Sequence, residues 1–267
     1  MFLNSIALIS QEVLEASILI SILMALAKQL QLSQRWVLIA LVMGSIFAFI
    51  YGQNMGDVSE WFDYVGQEIV NASIQLLIVI LMFLATFLYS HSIFSSNKQG
   101  QIIFLANAIA IVALAIVREG AEIYNYLIGA LVQPDYVLTV TAGSLIGTGI
   151  GISIGVLFYY AMGALTGKKR HIIGLVLFSL IAGSMTSQAI LLLNQADWLI
   201  STPVLWDSSH LLSEHSLTGR LLYGLIGYEA TPSALEFAGY LGTALIILFI
   251  GMKKMPKIKC LEQTINA

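Results

Sequence analysis

The sequence predicts an all-α, polytopic membrane protein with seven transmembrane helices, amino terminus outside and carboxyl terminus inside. Three observations predict it. The 267-residue chain is 58% hydrophobic and 10% charged, whereas a soluble domain carries about 25% charged residues. Seven segments approach the roughly 20 apolar residues that a spanning helix needs. The connections between them alternate in charge, as the positive-inside rule requires.

In chain order the segments are 3–27, 36–53, 67–90, 102–127, 138–163, 171–195 and 233–252. The first lacks the positive start of a cleavable signal peptide and is expected to be retained as a helix. Lys28 and Arg35 follow it, and the shorter second segment begins at Trp36. The third begins near Glu68, and Lys98 separates it from the fourth, which carries "REGAE" at 118–122. The fifth contains the glycine series "AGSLIGTGIGISIG" at 142–155, read as close helix packing. Lys168, Lys169 and Arg170 precede the sixth, and Lys253, Lys254, Lys257 and Lys259 follow the seventh. The alternate loops carry Asp57, Glu60, Asp63, Asp135, Asp197, Asp207, Glu214 and Glu229, with Arg220 as their base. Strands are excluded because the apolar runs are long and do not alternate.

The chain reads as one membrane domain, with one repeat over about 1–95, a second over about 100–195, an outer loop at 196–232, the last helix and a cytoplasmic tail at 253–267. Net charge is −3, which argues against a nucleic-acid partner. The single cysteine, Cys260, makes no internal disulfide and offers no thiolate cluster for a soft metal. The repeat emerges when Glu12 is laid on Glu119. The same offset lays Glu15 on Glu122 and the second helix on the glycine-rich fifth. A three-helix unit is odd, so the two units enter the membrane in opposite directions, the inverted plan of many transporters with a site near the midplane.

The chemistry centres on "SQEVLE" and "REGAE". Residues i and i+3 share a helix face, so Glu12 points with Glu15 and Glu119 with Glu122. A charged residue at the centre of a spanning helix costs about 2.5–3.5 kcal/mol. Three things relieve that cost: protonation, a base, or a cation. Arg118 is the one base deep in a predicted helix, and its i+4 relation to Glu122 permits a pair. One arginine does not neutralise four glutamates, which leaves protons, a metal, or both. An all-oxygen set suits a hard cation, and a trivalent ion plus Arg118 would balance four carboxylates. The competing reading is that the pairs lock helices together as protonated or arginine-paired acids.

Glu68 is either an outer ligand or an ordinary acid at a helix start, with Gln75 two turns deeper. Asn107 and Asn125 read as packing groups. None of the four histidines, His91, His171, His210 and His215, lies deep in a span, so paired haem ligands are missing. Trp36, Trp61, Trp198 and Trp206 read as interfacial anchors. In the outer loop, Asp207, His210, Glu214, His215 and Glu229 form a candidate cation-gathering set. The alternative there is an amphipathic surface or re-entrant helix capped by Asp207 or Ser208.

The stretch "REGAE" resembles the Arg-Glu-x-x-Glu signature of the oxidase-dependent iron permeases, the family of the yeast high-affinity permease and the bacterial EfeU-type permeases. The stretch "SEHSLTGRLLYGLIGYEATPS" at 213–233 resembles the region before the last helix of the bacterial members. Seven helices, an outward amino terminus and paired motifs in helices one and four match as well. The resemblance implies inward iron transport at an inner (plasma) membrane, with an outer-face partner that oxidises or delivers iron. Iron is then a transported substrate and not a resident cofactor. It also implies metal ligation by Glu12, Glu15, Glu119 and Glu122, with Glu68, or Gln67 one residue earlier, at the third-helix position. From the outer-loop reading above, Asp207, Glu214 and His215 would serve entry. Arg118 keeps the family's arginine; Gln11 and Val13 stand where it has arginine and often glycine. Losing that arginine removes a positive charge beside Glu15, making Gln11 and Arg118 the charge-tuning positions. Two rivals stand beside this reading. One is a permease for another divalent metal such as manganese. The other is a non-transporting membrane subunit or intramembrane enzyme, which would need a nucleophile or cofactor at the same depth.

Overall fold

The computed structural model describes residues 1–90, 98–132, 134–165, 167–214 and 216–253. Its described part is all-helical: α1 (Phe2–Gln29), α2 (Trp36–Ser59), a four-residue turn α3 (Trp61–Tyr64), α4 (Gly66–Ser90), α5 (Lys98–Leu131), α6 (Pro134–Ala164), α7 (Gly167–Gln195), a short α8 (Leu217–Ile226) and α9 (Ala234–Lys253). Seven of these are long and apolar enough to cross a membrane. They coincide with the seven expected segments, with ends shifted by a few residues where polar terminal turns continue the helix. In α3 the backbone reverses through left-handed conformations at Phe62, Asp63 and Tyr64, with φ of 54°, 63° and 70°.

The packing explains the glycines. α1 lies along α6, α2 along α5, and α4 along α7, which also holds α9. On α6, a methyl at Gly151 would stand 2.8 Å from the Val13 Cβ, and one at Gly155 would stand 2.6 Å from the Ser17 Cβ. Only hydrogen fits there. The close approach lets Ser17 and Ser21 of α1 donate hydrogen bonds to the carbonyls of Gly151 and Gly155, at 3.0 and 2.8 Å. In lipid, where apolar helices gain no hydrophobic driving force from one another, such packing and interhelical hydrogen bonds supply the association.

The interior between the helices is apolar toward the end of the bundle where α1 finishes. Leu19, Ile22, Leu23, Ile78, Met82, Phe104, Ile111 and Phe178 are buried together there. At that end Tyr89 bonds Gln29 and stacks on the His171 ring, 5.4 Å between centroids. The outer surfaces of α2, α6 and α9 present Leu38, Val42, Ile46, Leu145, Leu157, Leu245 and Phe249 outward. Apolar surface of that extent belongs against lipid.

Two expectations are corrected. Trp36 is buried in the core at 3% exposure and is not an interfacial anchor, while Trp61, Trp198 and Trp206 are exposed. The loop helix exists, but its cap is neither Asp207 nor Ser208. Ser216 caps α8 by accepting from the Gly219 N–H at 3.0 Å, and Gly227 closes it in the left-handed conformation. Asp207 instead accepts from the backbone N–H and the hydroxyl of Ser209, making its own local turn.

Candidate metal centre

Four carboxylates reach the middle of the bundle from two helices. Glu12 and Glu15 come from α1, and Glu119 and Glu122 from α5. Glu12, Glu15 and Glu119 are buried at 7%, 7% and 2% exposure, and Glu122 is partly open. One carboxylate oxygen from each of Glu12, Glu119 and Glu122 lies within 4.8 Å of the others, close enough to share an ion. Glu15 stands beside this trio and is held by two donors. Arg118 Nη1 approaches it at 3.5 Å, and Gln11 Nε2 donates to it at 3.4 Å.

Arg118 organises the centre. Its Nη1 is 2.6 Å from Glu119 and its Nε is 3.6 Å from Glu122, so one buried guanidinium touches three carboxylates across two helices. The expected i+4 pair with Glu122 is the longest of the three. Arg118 Nε and Glu119 Oε2 have no hydrogen-bond partner although neither is exposed. An acceptor left bare in a buried site normally costs about 1–3 kcal/mol. With all four acids ionised, the fixed charge is four negative against one positive. An all-oxygen, strongly negative and partly dehydrated pocket can hold a hard cation.

Two cavities meet at Glu122. One, of about 360 Å³, is lined by Leu8, Gln67, Glu68, Asn71, Asn125 and Gln195 among others, which places Glu68 on the same cavity as Glu122 of the trio. Its neighbour Gln67 accepts from the Ser59 hydroxyl at 3.3 Å. The other cavity, of about 450 Å³, runs past Gln11, Glu12 and Arg118 to Glu214, Arg220, Tyr223, Glu229 and Glu236. Both lie toward the end of the bundle where α1 begins.

Of the loop residues singled out in the sequence, Glu214 and Glu229 line the larger cavity. Glu214 is anchored there by the Ala230 N–H. Asp207 is exposed and lines neither cavity; the Ser209 bonds hold its carboxyl below the ordinary range. His210 is exposed as well, and His215 lies outside the described residues. Burial pushes the Glu229 carboxyl up to about 7, reinforced by the charges of Glu236 and Glu214 and opposed by a Ser187 hydrogen bond.

Sequence reasoning missed Glu236. Its signal was present: "SALE" at 233–236 is a capping box, in which Ser233 and Glu236 exchange backbone-to-side-chain bonds at 3.3 and 2.8 Å. It also missed the reach of α8. A methyl at Gly224 would stand 3.3 Å from Glu15 Cγ, so α8 rests against the centre itself.

Seven helices long and apolar enough to cross a membrane, around a buried cluster of acids open to one face, define a multi-pass membrane protein. Comparison with known proteins gives the family. The model of the Iron permease FTR1 family matches residues 3–256, and the chain belongs to that family. It is similar to the ferrous iron permease EfeU of Yersinia pestis, 26% identical over 263 residues and covering 90% of each chain. The EfeU of Yersinia pseudotuberculosis serotype I (strain IP32953) matches to the same extent. That of Shigella flexneri is 30% identical over 132 residues, 49% of this chain and 55% of that one. No solved structure matches.

Proposed function

We propose that this protein carries iron across a bacterial inner membrane through the Glu12–Glu15–Glu119–Glu122 centre. The convergence of Glu12, Glu119 and Glu122 oxygens within 4.8 Å carries the reading. Iron enters the cavities from the outer face, where Glu68, Glu214 and Glu229 attract it. It exchanges water for carboxylate oxygen at the trio, and Glu15 joins as Arg118 yields. Ferric iron balances the four acids and Arg118. The relatives are named for ferrous iron, and an oxidising or delivering partner on the outer face reconciles ferrous supply with a ferric-suited cage. The proposed orientation, amino terminus outside, is supported by the charges. Lys28 and Arg35 lie at the end opposite the cavities, while Glu68, Glu214 and Glu229 lie at the cavity end.

Inverted repeats are part of the proposal, and helix register supports them. Gly44 meets Ile116, Ala48 meets Gly120, and Gly52 meets Tyr124 between α2 and α5. Between α6 and α1, Gly147 meets Ile9, Gly151 meets Val13, and Gly155 meets Ser17. Exchanging α1 with α5 at the Glu12-to-Glu119 offset, and α2 with α6 at the Gly44-to-Gly147 offset, turns one series into the other. The second helices thus superpose one turn away from the offset of the first. Two interchangeable halves around a central site are what alternating access uses.

The test is iron uptake into sealed vesicles carrying the purified protein. Glu119→Ala and Glu15→Ala lose uptake while remaining in the membrane; full uptake by either overturns the assigned site. Competition between iron and manganese in the same vesicles decides the metal.

A further inference from the structure

A pair of glutamines lies at the depth of the acids and has no role so far. Gln75 of α4 is fully buried and Gln188 of α7 is 3% exposed. Gln75 Nε2 donates to Gln188 Oε1 at 2.6 Å, and Gln188 Nε2 donates to the Ser184 hydroxyl at 3.3 Å. The Gln188 side chain also lies close to the Glu15 carboxylate. The remaining atom, Gln75 Oε1, is closed to solvent and takes no hydrogen bond. At about 1.5 Å per residue, Gln75 lies some 14 Å along α4 from its start. Glu12 lies a comparable 15 Å along α1, and both helices start at the cavity end.

Buried amides in lipid-embedded helices normally satisfy each other. A bare carbonyl oxygen in this position is costly unless something visits it. Beside an acid cluster, the visitor that fits a carbonyl oxygen is a cation. The charge balance points the same way. Four carboxylates and Arg118 already match a trivalent ion, so any further ligand has to be neutral. An amide oxygen adds coordination without adding charge.

Building on the iron-site reading above, we infer that Gln75 and Gln188 form a neutral oxygen wall of the cation centre. Gln75 Oε1 is a ligand position, and Gln188 orients Glu15. The pair links α4 and α7 to a site otherwise built from α1 and α5, so all four helices register the arriving ion.

The test uses the full-length protein in detergent, with binding of ferric iron (from its nitrilotriacetate chelate) and manganous ion measured beside thermal unfolding. The decisive variant is Gln75→Leu with Gln188→Leu, because replacing both partners of a purely structural hydrogen bond by apolar groups is close to neutral. The expected result is an unfolding temperature near wild type with ferric affinity weakened roughly tenfold or more. Wild-type affinity in that variant overturns the inference. Should it fail to fold, Gln75→Glu decides, since it puts a charged oxygen at the bare position. The ratio of ferric to manganous affinity then rises, and an unchanged ratio overturns the inference. Glu119→Gln runs alongside: if it binds iron as wild type does, the iron site itself is wrong, whatever the glutamine variants do.

Discussion

Helices α1 and α5 carry the same acid spacing and treat it differently. In α5 the residue before the first glutamate is Arg118 and the residue after it is Gly120; in α1 these are Gln11 and Val13. Arg118 contacts Glu15 of α1 and Glu119 and Glu122 of α5, so a single guanidinium serves acids of both helices. Gln11 makes one neutral bond to Glu15. The small-residue requirement has also moved. Gly120 of α5 admits Ala48 of α2, whereas Val13 of α1 is admitted by Gly151 of α6. The two differences between the helices are thus answered across the helix interface: α1 has no arginine of its own and Arg118 reaches its Glu15, and Val13 is accommodated by a glycine on the partner helix.

The sharpest way to break this comparison is to remove a carboxylate from each helix. Glu119→Ala deletes the most buried acid and the shortest partner of Arg118, so vesicle uptake is abolished. Glu15→Ala also abolishes uptake, yet leaves the trio of Glu12, Glu119 and Glu122 intact. Equilibrium binding to the purified protein is therefore expected to persist in Glu15→Ala and to vanish in Glu119→Ala. Equal loss of binding in both would remove the distinction between the trio and Glu15.

Arg118→Leu comes next. It leaves three partly or fully buried acids without their base, and breaking a buried pair on one side costs about 3–5 kcal/mol. The variant is expected to unfold at markedly lower temperature without metal and to recover on adding a multivalent cation. Gln11→Leu, which removes only one long bond from an uncharged donor, worth about 1–2 kcal/mol, should shift unfolding less. If the two variants unfold alike, Arg118 is not the keystone.

How much of this was legible beforehand follows from the range of each interaction. The seven spans and the two acid pairs could be read because length, apolarity and i,i+3 spacing are local. That Glu12, and not Glu15, closes the trio with Glu119 and Glu122 could not, because that depends on α1 leaning on α6 while α5 leans on α2. The same holds for Trp36, whose amphipathic ring suits an interface until neighbouring helices cover it. Tyr223 and Gly224 lie in a loop by sequence, yet the cap at Ser216 and the turn at Gly227 fold that loop back against Glu15. The Gln75–Gln188 pair is two isolated polar residues until α4 and α7 are brought together.

Packing offers a smaller test. Gly151→Ala places a methyl 2.8 Å from the Val13 Cβ, an overpacking of about 1–3 kcal/mol. Val13→Ala in the same chain removes the Cγ1 contact, also at 2.8 Å, but keeps the Cβ one, so it should restore only part of the loss, and Gly120→Ala should not be rescued by it. Unfolding temperatures of the three variants supply the readout. Additive effects of Gly151→Ala and Val13→Ala would mean the two residues are not the matched pair described.

Gln11→Arg restores an arginine beside Glu15 in α1 and makes the two helices alike. A second positive charge would then compete with the cation for Glu15, and affinity is expected to fall by roughly tenfold, the scale of a change to a ligand's immediate support. Selectivity between iron and manganese should shift as well. Unchanged affinity and selectivity would mean that Gln11 does not tune the site.

The smallest effect concerns pH, and it sits in the cavity outside the acid pairs. Glu229 holds its proton up to about 7, against an ordinary 4.5, because it is buried near Glu236 and Glu214. Between those values the folded chain keeps a proton that the unfolded chain has lost. Glu229 therefore favours folding less and less as pH rises from 4.5 to about 7, and its contribution is constant above that. For transport the sign is opposite. Below about 7 the neutral carboxyl leaves the cavity less negative, and above it the extra charge draws cations in. Initial uptake should rise with pH through this window by roughly two- to fivefold, the scale of one partly screened charge. Glu229→Gln locks the neutral form, so the rise near pH 7 should disappear while uptake at pH 6 stays close to wild type. A rise that persists in Glu229→Gln would assign the titration to the central acids and leave the cavity a passive route.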